Sequence, residues 1–277
     1  MTLPIIPKKS LGQNFLVNPR VLDKIVAAAE ITKDDIVLEV GPGTGNLTKK
    51  LAEKTGRVIA IEKDRQLIGF LKNKLSENSA IAEKSEIIEG DVLKINFSDL
   101  KIKEDYKIVA NIPYYITSRF LRKIFTEWPR PKLIVLIIQK EVAQRIMASP
   151  PHSKLSVGAS RPHMNLLALS VQFFAEPKII NYVSKNNFRP RPKVDSAIIK
   201  LTPKPKFYIL NSKFFFNIVR AGFSQKRKLL ISNLVAKLKI KKEDAVKIFA
   251  KFGIDEKSRA ENLGLDDWIK LAKIIKM

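Results

Sequence analysis

Asn111-Ile112-Pro113-Tyr114 ends the apolar run 107–111 with an amide, a proline and an aromatic ring, where a Gly-Asn turn would have sufficed. Pro113 has no N–H and biases Ile112 towards an extended conformation, so the Ile112 carbonyl can be left free to face a ligand. The Asn111 amide oxygen and that carbonyl are then two acceptors able to converge on one amino group, and the Tyr114 ring is a surface for stacking. Adenine is a fitting guest. Its exocyclic amine is a poor nucleophile because the lone pair is delocalised into the ring, and two acceptors would orient it and stabilise developing charge without a strong base. The competing reading is an Asn-Pro turn with packed tyrosines.

A second group of residues lies upstream. "VLEVGPGTGNLT" places Gly41, Gly43 and Gly45 between an apolar strand and a helix, where backbone must turn tightly and approach a ligand without Cβ atoms. Glu62 ends the next strand at the separation of about 20 residues expected for a carboxylate that accepts ribose hydroxyls. A dinucleotide fingerprint starting at Gly41 would need a third glycine at position 46, which is Asn46. That departure favours S-adenosylmethionine, which has no pyrophosphate. Asp91, in "EGD" at the end of a third strand, is placed to accept from the cofactor's adenine amine. Glu39, the glycines, Glu62 and Asp91 thus stand at successive strand ends, where ligands of open α/β sheets bind.

The elements that must position these residues alternate. Short β-rich runs at 35–40, 57–62, 85–91, 107–111 and 133–139 are separated by segments of helical spacing, such as Phe120, Leu121, Ile124 and Phe125. Two further runs, 178–183 and 196–201, predict seven strands in a mostly parallel sheet covered on both faces. The apolar stretch 164–174 reads as a helix. After two prolines in "LTPKPK" the pattern is helical with no strands, so a domain boundary is expected near 204, dividing a Rossmann-like α/β domain (1–204) from a small all-helical one (205–277).

Composition narrows the partner. The chain holds 51 Lys+Arg against 27 Asp+Glu, a net +24. Residues 204–277 carry 18 Lys+Arg and 7 Asp+Glu, so +11 of that excess sits at the C-terminal end. A concentrated excess of this kind suits a polyanion, nucleic acid first; a lysine-rich surface reflecting only a heat-adapted proteome is the alternative. "FSQKRK" (223–228) is read as a basic helix start that contacts phosphate through Lys226, Arg227 and Lys228. With no cysteine and only His152 and His163, no metal site or thiol nucleophile is expected. The longest purely apolar run, 133–138, is far below the roughly 18 residues of a membrane span, so a soluble cytoplasmic chain is expected.

In order and spacing, "KKSLGQNFL", "LEVGPGTGNLT", "NIPYYIT", "QKEVAQRI", "NFRPRPKVDSA", "FSQKRK" and "RAENL" resemble the rRNA adenine N6,N6-dimethyltransferases, from about Lys8 to Leu263. The resemblance implies a class I methyltransferase fold and dimethylation of two adjacent adenosines near the 3′ end of small-subunit rRNA. It also implies that Asn14 and Leu16 close over S-adenosylmethionine beside Gly41, Glu62, Asp91 and Asn111. Phe188 would close on the target adenine opposite Tyr114, although the residues alone read equally as a core ring. The partner implied is the assembling small ribosomal subunit, met by a monomer. Two other readings stay open: the related enzymes that modify large-subunit rRNA, and a non-catalytic RNA-binding assembly or transcription factor on the same fold. The segment 147–167 is longer than the family's usual link, and no RNA contact is assigned within it.

Overall fold

The computed structural model describes residues 5–102, 105–150, 163–205 and 212–275. It shows seven strands in one sheet: β2 (Ile36–Val40), β3 (Arg57–Glu62), β4 (Ser85–Glu89), β5 (Tyr106–Asn111), β6 (Leu133–Gln139), β7 (Ala175–Val183) and β9 (Ser196–Pro203). Their order is β4-β3-β2-β5-β6-β9-β7. The pairs among β2 to β6 are parallel, and β9 runs antiparallel to β6. A two-residue ladder of β1 (Phe15–Leu16) with β8 (Phe188–Arg189) stands apart. The mostly parallel seven-stranded sheet expected from the sequence is therefore present.

Register explains why the polar residues meet. Val40 pairs with Ile61, Glu62 with Glu89 and Asn111 with Ile137, so the carboxyl ends of the inner strands finish level on one rim. The inner strands are buried along almost their whole length, as continuous Val/Ile/Leu runs covered on both faces should be. Helices α1 (Pro19–Ala28), α2 (Asn46–Ala52), α3 (Arg65–Ser76), α4 (Ser79–Lys84), α5 (Thr117–Thr126) and α6 (Lys140–Ile146) occupy the crossovers. The Asn18 side chain caps α1 through the Arg20 N–H, with Pro19 at the first helical position; Asp64 caps α3 through the Gln66 N–H. No helix of the described residues is long and apolar enough to cross a membrane.

The described residues divide into two compact units, Met1–Ala143 with Glu176–Pro203, and Gln144–Ala175 with Lys204–Met277. This corrects the single division at 204. Helix α7 (Leu166–Phe174), expected as a helix of the first domain, belongs with α8 (Ser212–Gly222), α9 (Leu230–Leu238), α10 (Lys242–Phe252) and α11 (Leu265–Ile275). Its Phe173 ring stacks on Phe215 at 4.4 Å, and Ala168, Leu169 and Phe173 share one core with Trp268 and Phe249. The Asn165 side chain caps α7 through the Ala168 N–H. His152 and most of the long segment 147–167 lie outside the described residues.

"FSQKRK" is also placed differently. It forms the turn between α8 and α9 and starts no helix, with Ser224–Leu229 exposed. The buried Asn233 amide donates to the carbonyls of Gly222 and Gln225, which ties the turn to α9. Gly222 is required there, because a Cβ would stand 2.3 Å from the Trp268 ring.

Below the first unit's sheet, Lys107 and Asp35 form a buried ion pair at 2.9 Å, and Thr32 adds N–H and O–H bonds to the same carboxylate oxygen. Burial alone would raise the Asp35 carboxyl, but the bonds from Lys107 and Thr32 outweigh it and hold it below its ordinary value. Replacing Asp35 with Ala strands a buried ammonium, and we expect a loss of about 3 kcal/mol in urea unfolding at neutral pH. Because the folded carboxyl is depressed, wild-type stability from this group is in place above the ordinary value of 3.8 and is lost as pH falls through the lower folded value. The Asp35→Ala difference should shrink at acid pH.

Candidate active site

The rim opens into a cleft of about 760 Å³, its mouth included, lined among others by Asn14, Gly41, Gly43, Glu62, Asp91, Asn111, Ile112, Pro113 and Tyr114. Nine of the residues singled out from the sequence therefore share one pocket.

Glu62 leans back into the glycine corner. Its carboxylate accepts the N–H groups of Lys63 and Asp64 at 2.9 Å each and of Gly43 at 3.2 Å. Burial pushes this carboxyl up, while those three N–H groups pull it down, and burial prevails. Gly43 has φ +58 and a Cβ there would stand 2.8 Å from the Phe15 ring, so both conformation and space demand glycine. Asn46, at the position of the missing third glycine, donates to the Leu16 carbonyl and accepts from Lys74, which also reaches the Thr44 carbonyl. The departure from a dinucleotide fingerprint thus has a structural use: the side chain fastens the glycine turn to β1 and α3. Asp91 is ion-paired with Lys63 at 3.0 Å and accepts the Leu93 N–H. Burial opposes its ionisation, but Lys63 and the Leu93 N–H hold it below its ordinary value.

At the end of β5 the Asn111 Nδ2 donates to the Asn14 carbonyl at 3.0 Å, which leaves Oδ1 as the end of the amide open to a ligand. Among the described residues no protein donor reaches the Ile112 carbonyl. Tyr114 lines the cleft and its hydroxyl shares a 2.7 Å hydrogen bond with Ser196 Oγ at the start of β9.

Two expected contacts lie elsewhere. Phe188 is fully buried in the first unit's core with Leu16, Val183 and Ile198 and does not line the cleft. Its ring packs inward with Leu16, which stands opposite it in the β1–β8 ladder, on the buried side of the alternation whose other side exposes Arg189. The Leu16 side chain is in the same core; Leu16 lines a smaller adjoining cavity with Glu39, Gly41, Gly43 and Asn111.

Several lining residues were not read from the sequence. Leu11, Gly12, Gln13 and Phe15 form one wall. That wall is held from below: Asp64 accepts Lys8 Nζ and Gln13 Nε2, each at 2.7 Å, and the Gln13 side chain takes the Lys8 N–H. The partners are more than 50 residues apart in sequence, so no local signal reveals them. Tyr115, half exposed against Gly12, also lines the cleft, and the doubled tyrosine of "NIPYY" was the available hint.

Residues 7–277 match the family profile described as ribosomal RNA adenine dimethylase. The chain belongs to that family. Similar proteins include the ribosomal RNA small subunit methyltransferase A of Clostridium botulinum, 42% identical over 270 residues that cover 96% of this chain and 93% of the relative. The Bacillus pumilus protein of the same name is 39% identical, covering 97% and 91%. Among solved structures, a dimethyladenosine transferase from Plasmodium falciparum superposes with TM-score 0.79 at 32% identity, covering 95% of this chain and 97% of that one. The 23S rRNA methyltransferase ErmE shares the fold, with TM-score 0.73 at 23% identity over 95% of this chain and all of that one.

The cofactor of a ribosomal RNA adenine dimethylase is S-adenosylmethionine, and this cleft fits it. Gly41 presents bare backbone beside the Asn111 carbonyl and Pro113, where a Cβ would fill the space, and carboxylates stand at two successive strand ends. Glu39, entirely buried in β2, is a third acid, and its Oε2 has no hydrogen-bond partner. Burial pushes its carboxyl up to about 8, with the charge of Glu62 adding to the shift.

Two stability outcomes follow from these placements. For an acid raised on folding, stability is full below the ordinary value of 4.5 and is lost as pH rises through about 8. Glu39→Gln should remove that decline and raise Tm by several degrees at pH 9 relative to the wild type, at about 2–4 °C per kcal/mol for a chain of this size. Calorimetric scans from pH 5 to 9 check it. Phe188→Ala should lower unfolding free energy by about 3–5 kcal/mol, as a core deletion does, whereas a ring serving only the cleft would cost far less.

Proposed function

We propose that this chain transfers methyl groups from S-adenosylmethionine to N6 of two adjacent adenosines near the 3′ end of small-subunit rRNA, making each a dimethyladenosine. One observation carries the reading: the open amide oxygen of Asn111 and the unengaged Ile112 carbonyl stand on the same cleft as Gly41, Glu62 and Asp91. Within that cleft, Glu62 would take the ribose hydroxyls and Asp91 the adenine amine of the cofactor, while Asn14, Gly41 and Gly43 supply backbone walls. The bound cofactor supplies an electrophilic methyl group on a sulfonium.

The protein's part is orientation. In the first transfer Asn111 Oδ1 and the Ile112 carbonyl would each accept one N–H of the target amine, and in the second the one N–H that remains would go to either. In both, the nitrogen is drawn out of conjugation with its lone pair along the transfer axis, and the proton released after methylation passes to solvent. Pro113 fixes the corner, and Tyr114 offers its ring to the base, the hydroxyl anchored on Ser196. A stacked or paired adenine cannot present N6 to such a cleft, so the target must be extruded. Lys226, Arg227 and Lys228, exposed on the turn between α8 and α9 and without an ion-pair partner among the described residues, would hold RNA phosphates. The substrate is taken to be the assembling small subunit, met in the cytoplasm by a monomer. The names of the relatives at about 40% identity support the small subunit over the large one.

Methyl transfer to purified unmethylated small subunits, with the modified nucleosides mapped, tests the assignment; dimethyladenosine in large-subunit RNA alone would sink it. Asn111→Ala should reduce turnover by at least about 100-fold with RNA affinity nearly intact. Replacing Lys226, Arg227 and Lys228 together with Ala should instead weaken RNA binding and flatten its salt dependence by up to about three units of slope. Equal RNA-affinity losses in the two variants would contradict this division.

A further inference from the structure

Outside the cleft, β7 carries Tyr182 with half of its surface (49%) in solvent, and the ammonium of Lys140 sits 5.1 Å from its ring centroid. Lys140 opens α6 directly after β6, on the same rim as Asn111. Its N–H donates to the Asp195 carbonyl, and the next residue, Ser196, holds the Tyr114 hydroxyl. The exposed ring is thus joined to the target-facing tyrosine through three short contacts: Tyr182 to Lys140, Lys140 to Asp195, Ser196 to Tyr114.

The segment that follows the ring in sequence is predominantly basic. Residues 182–194 contain Lys185, Arg189, Arg191 and Lys193 and no acid. Arg189, Arg191 and Lys193 are exposed. The segment is not loose: Asp195 Oδ1 accepts the Lys185 N–H, the Ser184 and Asn187 side chains close the turn, and the Arg189 guanidinium is propped on the carbonyls of Asn186 and Phe188. Asp195, which ends the segment, keeps its carboxylate turned to that N–H through Oδ1. An exposed aromatic ring with one cation against it and a basic turn following it in the chain is suited to single-stranded RNA, where a base stacks on the ring and the cations meet phosphates.

We propose that Tyr182 is a stacking platform for an unpaired base of the substrate strand beside the extruded adenosine, with Lys140 and the 185–193 turn holding the phosphates around it. The proposal rests on the function given above and adds a second RNA contact, separate from the turn at 226–228 and made by the α/β unit itself. Lys140 now covers the ring by a cation–π contact, which would pass to the base and phosphate when RNA arrives.

Tyr182→Trp makes the site its own reporter, because the native Trp128 and Trp268 are buried. Titrating that variant with a ten-nucleotide oligoadenylate should quench the new indole, whereas inorganic polyphosphate, which has charge and no bases, should not. In kinetics on unmethylated small subunits, Tyr182→Ala should lose about tenfold in kcat/KM, the loss falling mainly on KM, while Tyr182→Phe stays within about twofold of the wild type. Cofactor affinity by calorimetry should be the same in all three. Equal quenching by both polyanions, or wild-type KM in Tyr182→Ala, would overturn the platform. A wild-type protein inactive on small subunits would overturn the function instead, and the oligoadenylate titration would still decide the stacking site.

Discussion

The bond from Asn111 Nδ2 to the Asn14 carbonyl is the contact on which the cleft depends. An amide has a donor end and an acceptor end, and a partner that can only accept forces the donor towards itself. The oxygen is left for the ligand. The same bond joins the end of β5 to the segment before β1, almost a hundred residues earlier, so the wall of the cleft and its reactive corner are set by one interaction. That wall is in turn anchored to Asp64 at the start of α3 through Lys8 and Gln13. The ends of β5 and β3 and one N-terminal segment thus share a single polar framework.

Electrostatics impose a second constraint. A chain with net charge +24 suits a polyanionic partner, yet the cofactor it must seat carries a positive sulfonium. The rim resolves this by gathering acids: Glu39, Glu62, Asp64 and Asp91 stand at or just beyond the ends of β2, β3 and β4. They are not alike. Asp64 and Asp91 are kept ionised by lysines, while burial raises Glu62 and raises Glu39 further. A cluster in which every member were equally charged would repel itself, and burial at Glu39 and Glu62 works against that while Asp64 and Asp91 keep lysine partners.

Much of this could be read in the sequence because the inner strands and the glycine corner are local patterns. Val/Ile runs of five to seven residues between helical segments specify a buried parallel sheet, and the polar residues ending them must then share a rim. What could not be read depends on packing at a distance. Phe188 sits in a proline-rich stretch whose letters are the same whether the ring faces a ligand or the core; only its pairing with Leu16, far away in sequence, turns it inward. The basic turn looked like a helix start because apolar residues follow it at helical spacing, but Asn233, several residues later, holds it as a turn. The Lys107–Asp35 pair and the attachment of residues 144–175 to the helical unit are likewise contacts between segments far apart, invisible to periodicity.

The reversed strand gives the active site something that a wholly parallel sheet could not. Because β9 runs antiparallel to β6, its first residue, and not its last, lies at the carboxyl rim: Ser196 pairs with Gln139. The hydroxyl that anchors Tyr114 is therefore delivered by a strand start. Whatever precedes that start is brought to the rim as well, and here it is the basic 184–195 turn with its proline-stiffened course. In a parallel arrangement the same turn would lie at the opposite edge of the sheet, far from any base held against Tyr114. One inversion of strand direction thus brings the anchor of Tyr114 and a basic turn to the same rim, and it does so through backbone topology before any side chain is chosen.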